Sequence, residues 1–209
     1  MKRILMIIVI GSLAATSAFS KSLIILDSKA KMYNSVWKKQ FNSVYGLSLE
    51  EDQITEKAIK SIHLVFDGTN GGLRLVLNKK QRAQVQGFIK KFDKWVKKAD
   101  EKGITLQKKI GEVTSKAPIF SRFKKYYVSA DDLNMSFWFF SLKKGSHQLV
   151  LKFSEVTDHK NQFTKYTQGE IYLDGKEASK LEKHLSESLI LKIAKKEIKK
   201  ERDIASEFN

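Results

Sequence analysis

The side chains able to do chemistry in this chain are scattered. Its four histidines, His63, His147, His159 and His184, stand singly, and only His159 has acidic neighbours of note, Glu155 and Asp158. Three such ligands suit a divalent cation, but a solvated turn carries the same residues, so no metal is assigned to them. Glu50, Glu51 and Asp52 make an acidic run of the kind that complements the first turn of a helix, and Asp131 and Asp132 precede a strand, where turn residues are ordinary. Neither group comes with a nucleophile or an oxyanion donor. A hydrolase acting on envelope polymer would have to draw its acids from Glu155, Asp158, Asp131 and Asp132 and bring some of them together in a cleft. Cysteine is absent, which removes disulfides, thiolate metal sites and a thiol nucleophile together. There is no HExxH, GxSxG, Walker A or GxGxxG pattern either, so no catalytic residue and no cofactor is expected. The glycine-rich run 68–72 precedes a strand rather than a helix N-terminus, and reads as a hairpin turn, not a phosphate cradle.

Positive charge is the property that exceeds the background. The chain of 209 residues has a formal charge of +16, carried by 34 lysines and only 5 arginines. Base-specific readout favours the planar fork of arginine, so sequence-specific nucleic-acid recognition is not expected. Lysine gives a diffuse, salt-sensitive attraction to anionic surfaces. The clearest concentration lies in residues 79–102, where Val85, Phe88, Ile89, Phe92, Trp95, Val96 and Ala99 define one helix face and Lys90, Lys91, Lys94, Lys97 and Lys98 lie opposite. Those five lysines are the candidate anion-binding face. A second candidate is the basic tail, residues 190–209, with Lys195, Lys196, Lys199 and Lys200.

The first twenty residues read as an address. Met1, Lys2 and Arg3 make a positive n-region, residues 4–15 a hydrophobic core too short to span a bilayer, and Ala18-Phe19-Ser20 a cleavage site before Lys21. The expected mature chain, 21–209, is a basic domain without a transmembrane segment, periplasmic or secreted by a bacterium. With 42% hydrophobic and 11% aromatic residues it has material for a core of its own.

The elements expected to position these residues make an α+β fold with largely antiparallel sheet. A strand at 23–26 leads to an N-terminal helix over 29–45, inferred from Tyr33, Trp37, Phe41 and Val44 at helical spacing, and a short helix follows over 48–60. Strands at 62–66 and 73–77 form a hairpin, and the central amphipathic helix over about 79–102 ends at Gly103. A strand over 104–113 precedes a loop at 114–125 around Pro118, the only proline; a bilobed domain would divide there. Strands at 134–142 and 147–156 pair across Lys143-Lys144-Gly145-Ser146, a polar loop covers 157–168, and a strand at 170–173 leads to a C-terminal helix over about 176–203. Its stripe breaks near 186–189, where Leu181, Leu185 and Leu189 give way to Ile190, Leu191, Ala194 and Ile198 on another side of the wheel. Residues 73–95 and 170–189 each run strand, turn, helix, consistent with a duplicated β-then-α unit.

Strands followed by a helix, twice over, are similar in outline to the Whirly family of single-stranded DNA-binding proteins. That resemblance rests on element order over the mature region and is carried by no motif. It implies non-specific single-stranded nucleic-acid binding, for which Tyr126, Tyr127, Trp138 and Phe140 would be the stacking rings. Export argues instead for an envelope-associated binding or accessory protein without catalysis, meeting an anionic envelope surface or polymer through its lysine faces. A protein partner at the C-terminal tail is the other expected contact.

Overall fold

Alternate residues of long segments of this chain are apolar, and burying that period-two pattern is what organises the fold. The computed structural model describes residues 22–34, 38–50, 53–55, 58–68, 71–121, 126–158, 161–166 and 169–207. The expected signal segment, Trp37, Glu51, Asp52 and His159 lie outside the described residues, as do the side chains of Tyr126, Tyr127, Asp131, Asp132 and Asp158. In chain order the elements are β1 (Ser22–Asn34), β2 (Lys39–Glu50), β3 (Ser61–Gly68), β4 (Gly71–Asn78), α1 (Lys79–Lys102), β5 (Leu106–Ser121), β6 (Tyr126–Lys143), β7 (Ser146–Phe153), β8 (Val156–Asp158), β9 (Asn161–Tyr166), β10 (Glu170–Leu173), α2 (Gly175–His184) and α3 (Glu187–Ser206). The fold is α+β and its sheet is antiparallel. Eight strands close into a barrel in the order β1-β10-β7-β6-β5-β4-β3-β2, while β8 and β9 form a separate hairpin.

Register carries one apolar face around the ring. Phe137 and Phe139 of β6 stand opposite Leu151 and Leu149 of β7, which stand opposite Ile171 and Leu173 of β10. Ile171 in turn meets Met32 of β1, and on the far side Leu64 of β3 lies between Leu47 and Leu75. All are buried in one cluster, which Val85, Ile89 and Phe92 of α1, Ala178 and Leu181 of α2, and Ile190 and Ala194 of α3 complete. Closure leaves the eight paired strands no free edge in the ring, which removes a template for edge-to-edge aggregation.

Several expectations are corrected here. The N-terminal helix expected over 29–45 is not found among the described residues: 29–34 and 39–45 belong to β1 and β2, paired from Ser22–Glu50 to Asn34–Lys39. Burial there alternates, with Ser43, Tyr45 and Leu47 inward, whereas Val44 of the supposed helical stripe is exposed. Pairing with β10 and β3 supplies partners that no local period reveals. In place of a short helix over 48–60, β2 continues to Glu50 and Ile54 bridges Ile59 in antiparallel fashion. Residues 114–121, expected as loop because of Pro118, are the second half of β5: a register shift falls between Ser115 and Ala117, and Pro118 beyond it stays in register with Ser129 of β6. Part of the polar loop at 157–168 pairs as β8 and β9. The C-terminal helix is two helices, broken at Leu185 and Ser186, and its tail is no free arm up to Ala194, which is buried.

α1 is defined at both ends by local chemistry. Asn78 accepts from the Gln81 amide at 2.9 Å while the Gln81 side chain accepts from the Asn78 amide at 2.8 Å, and Gly103 turns the chain out with φ of 61°.

The start of α3 is tied to α1 through a cation that is nearly sealed. Arg82 is 2% exposed, its Nη2 reaches the Ile59 carbonyl at 3.5 Å and Glu187 Oε2 at 3.9 Å, and Nη1 has no hydrogen-bond partner. Burial lowers the pKa of its guanidinium and Glu187 opposes this. Burial pushes the Glu187 carboxyl up, but the Ile59 amide, the Lys79 ammonium and Arg82 together hold it below the ordinary carboxylate value. A depressed folded pKa contributes stability above the unfolded value, and that stability is lost as pH falls through the folded one. Glu187→Gln is therefore expected to cost about 1–2 kcal/mol near neutrality, since it leaves a buried cation without its counter-charge, and to remove part of the acid sensitivity below about pH 4. Arg82→Met, which removes the charge and keeps the bulk, should cost less. Urea melts of both variants from pH 3 to pH 7 check the order.

Candidate functional site

The five lysines of α1 share a helix face, but their surroundings divide them. Docking through Val85, Ile89, Phe92 and Ala99 forces the opposite side of α1 outward, so Lys90, Lys91, Lys94, Lys97 and Lys98 are all exposed. Lys90 Nζ lies 3.6 Å from Glu182 Oε1 of α2. Lys91 Nζ donates to the Ile110 carbonyl at 3.2 Å and sits 5.0 Å from the centroid of the Trp95 ring. Lys97 faces Asp93, whose carboxyl is pushed up by burial and by Glu182 against the pull of that lysine. Of the tail lysines, Lys195, Lys196, Lys199 and Lys200 are exposed on α3, beyond the buried Ile190 and Ala194.

Sequence reasoning missed a slot at the C-terminal end of this face. It encloses about 220 Å³ between α1 and the start of β5, with Trp95, Ala99, Leu106 and Phe139 as its apolar walls. Phe139 is sealed beneath, edge-on to Trp95 at 5.8 Å. Lys98, Lys102 and Lys108 stand at the rim, and Lys108 Nζ is 5.4 Å from the centroid of Trp95. The available signal was the pairing of Trp95 and Ala99 at i, i+4 beside lysines at i+3 and i+7; the contribution of β5 was not visible before the strand was placed.

Two polar clusters lie elsewhere. At the turn between β6 and β7, Asp100 accepts from the Gly145 amide and pairs with His147 Nε2, both at 2.8 Å. The His147 hydrogen bond, then the Gly145 amide, lowers the pKa of the Asp100 carboxyl. Between β1, β2 and α2, Tyr45 donates to the Glu177 side chain at 2.9 Å, and Ser28 bonds both Glu177 and Lys180. Burial and Glu177 drive the Tyr45 hydroxyl to a higher pKa, so it stays a neutral donor. With Ser28 and Tyr45 buried and committed to α2, this network pins a helix to the barrel seam.

Of the acids a hydrolase would need, Glu155 is exposed after β7, and the side chains of Asp131, Asp132 and Asp158 are outside the described residues. Of the proposed stacking rings, Phe140 is buried against Tyr172 and Trp138 is half-buried, with Lys152 Nζ 5.3 Å and 5.1 Å from the Trp138 and Phe140 centroids. Among the described residues, no cluster of three His, Asp or Glu side chains is placed to hold a metal. No helix among them is long and apolar enough to cross a membrane.

No family model, curated protein or solved structure matches this chain.

Proposed function

We propose that the protein is an exported, non-enzymatic accessory of the bacterial envelope that contacts anionic envelope components through the outer face of α1, with the lysines of α3 as a second contact. The observation that carries this reading is the docking of α1. Its apolar stripe is consumed by the barrel, so its lysines are held outward on a rigid rod of about 36 Å rather than on a helix free to insert in a membrane. Localisation follows from the hydrophobic segment and cleavage pattern at the N-terminus. Strand β4 leading directly into α1, and β10 into α2, supports reading 73–95 and 170–189 as a duplicated β-then-α unit.

Each lysine near an anionic surface contributes about 1 kcal/mol, so neutralising three of them weakens adsorption about a hundredfold. Mature protein is expected to sediment with phosphatidylglycerol vesicles and with lipopolysaccharide at low salt, and to release as salt is raised. The variant carrying Lys90→Gln, Lys94→Gln and Lys97→Gln should lose most of that binding while melting like the parent. Absence of binding at low salt, indifference to salt, or full binding by the triple variant overturns the proposal.

A further inference from the structure

The slot at the end of α1 asks for something a charged surface does not provide. A solvated lysine face needs no cavity, yet here α1 and β5 leave an open space over Ala99, whose methyl is too small to fill it between Trp95 and Phe139. The rim has three lysines and no carboxylate among its lining residues. Lys102 alone would be ordinary, because cations suit the last turn of a helix, and Lys98 belongs to the exposed lysine face. Lys108 comes from β5, which the dipole of α1 does not explain, and it closes the rim from the other side. Asp100, next to Ala99 in α1, points its carboxylate at Gly145 and His147 instead.

An apolar slot ringed by ammonium groups on two elements is complementary to a molecule with an apolar body and an anionic end. At about 220 Å³ it is smaller than the ~300–1,000 Å³ that encloses a drug-sized ligand, a space matched to one alkyl chain. We propose that this slot is a binding site for a single-chain anionic amphiphile, of which a medium-chain carboxylate is the simplest. The chain lies against Trp95, Ala99, Leu106 and Phe139, and the carboxylate is held by Lys98, Lys102 and Lys108. Exposed Ile104, at 41%, flanks the opening and covers the chain once it is seated.

Titration of isotope-labelled mature protein with decanoate, below its micelle concentration, tests the assignment by nuclear magnetic resonance. Saturable shifts are expected at the amides of Ile104, Leu106 and Ala99. Acetate, which has the head without the chain, should leave them in place, and 1-decanol and decyltrimethylammonium should bind at least tenfold more weakly than decanoate. The variant with Lys98→Gln, Lys102→Gln and Lys108→Gln, three exposed positions whose change leaves the core intact, should bind decanoate at least tenfold more weakly and with little salt dependence. Equal binding of decanol and decanoate, unchanged binding by that variant, or shifts mapping away from the slot overturns the proposal. The envelope reading is tested with Lys90, Lys94 and Lys97, none of which lines the slot, so the failure of either is read separately.

Discussion

Replacing Phe137 with alanine is expected to cost about 3–5 kcal/mol, enough to unfold a domain at the weak end of the ~5–15 kcal/mol range. Phe137 is fully buried on β6, its ring centroid 5.3 Å from that of Phe88 on α1, and opposite Leu151 on β7. The substitution therefore empties a volume bounded by two paired barrel strands, β6 and β7, and by α1 packed against the barrel core, which cannot collapse independently. Its neighbour gives the contrast. Trp138 points to the other face, is half-buried, and donates its indole N–H to Ser136 Oγ at 3.0 Å. Trp138→Ala removes a larger side chain but should cost less than Phe137→Ala, because part of that surface is already in water. Denaturant melts of the two variants settle which face is inward: a greater loss at position 138 would invert the orientation of β6 and refute the described core.

The second large effect lies at glycines of the barrel seam, and its sign should change with position. At Gly46 of β2, paired with Asp27 and Val65 on its two sides, a Cβ would collide with the Leu26 carbonyl next to the bulge in β1. At Gly169, just before the closing strand β10, a Cβ would collide with the Tyr33 carbonyl. At Gly46 the backbone on both sides is held in the sheet ladder, and at Gly169 the opposing Tyr33 is paired with Glu170, so relief requires the strands to shift. Gly46→Ala and Gly169→Ala are each expected to cost about 1–3 kcal/mol. Gly87, on the exposed side of α1, has nothing within 4 Å of such a Cβ. There Gly87→Ala should raise stability by about 0.5–1 kcal/mol, because alanine restricts the unfolded chain and suits the helix. Thermal melts of the three variants check the pattern, and a stabilising change at either seam glycine would show that the barrel is not closed at that pair.

The amphipathic character of α1 could be read from one dimension, because its apolar residues recur every 3.6 positions and its caps, Asn78 with Gln81 and Gly103, are local. Hairpins β3–β4 and β6–β7 were legible for the same reason: turn residues sit between runs of alternating apolar side chains. β1 and β2 were not. Tyr33, Phe41 and Val44 imitate a helical stripe, and only pairing with β10 and β3 shows that Met32, Tyr45 and Leu47 face inward. Pro118 reads as a loop signal in the same way, yet β5 runs through it with Pro118 opposite Ser129 of β6.

For the candidate site the division is similar. The amino-acid order alone determined that the chain is basic, cysteine-free and rich in lysine over nucleic-acid-reading arginine, and that five lysines of α1 lie opposite its apolar stripe. Those are properties of composition and of a single helix. Tertiary structure decided that Lys90 meets Glu182, that Lys91 caps the Ile110 carbonyl over Trp95, and that Lys108 joins Lys98 and Lys102 around an apolar slot. The physical reason is that a cavity needs walls from at least two elements, and the distance between Trp95 of α1 and Leu106 of β5 is set by how the barrel closes.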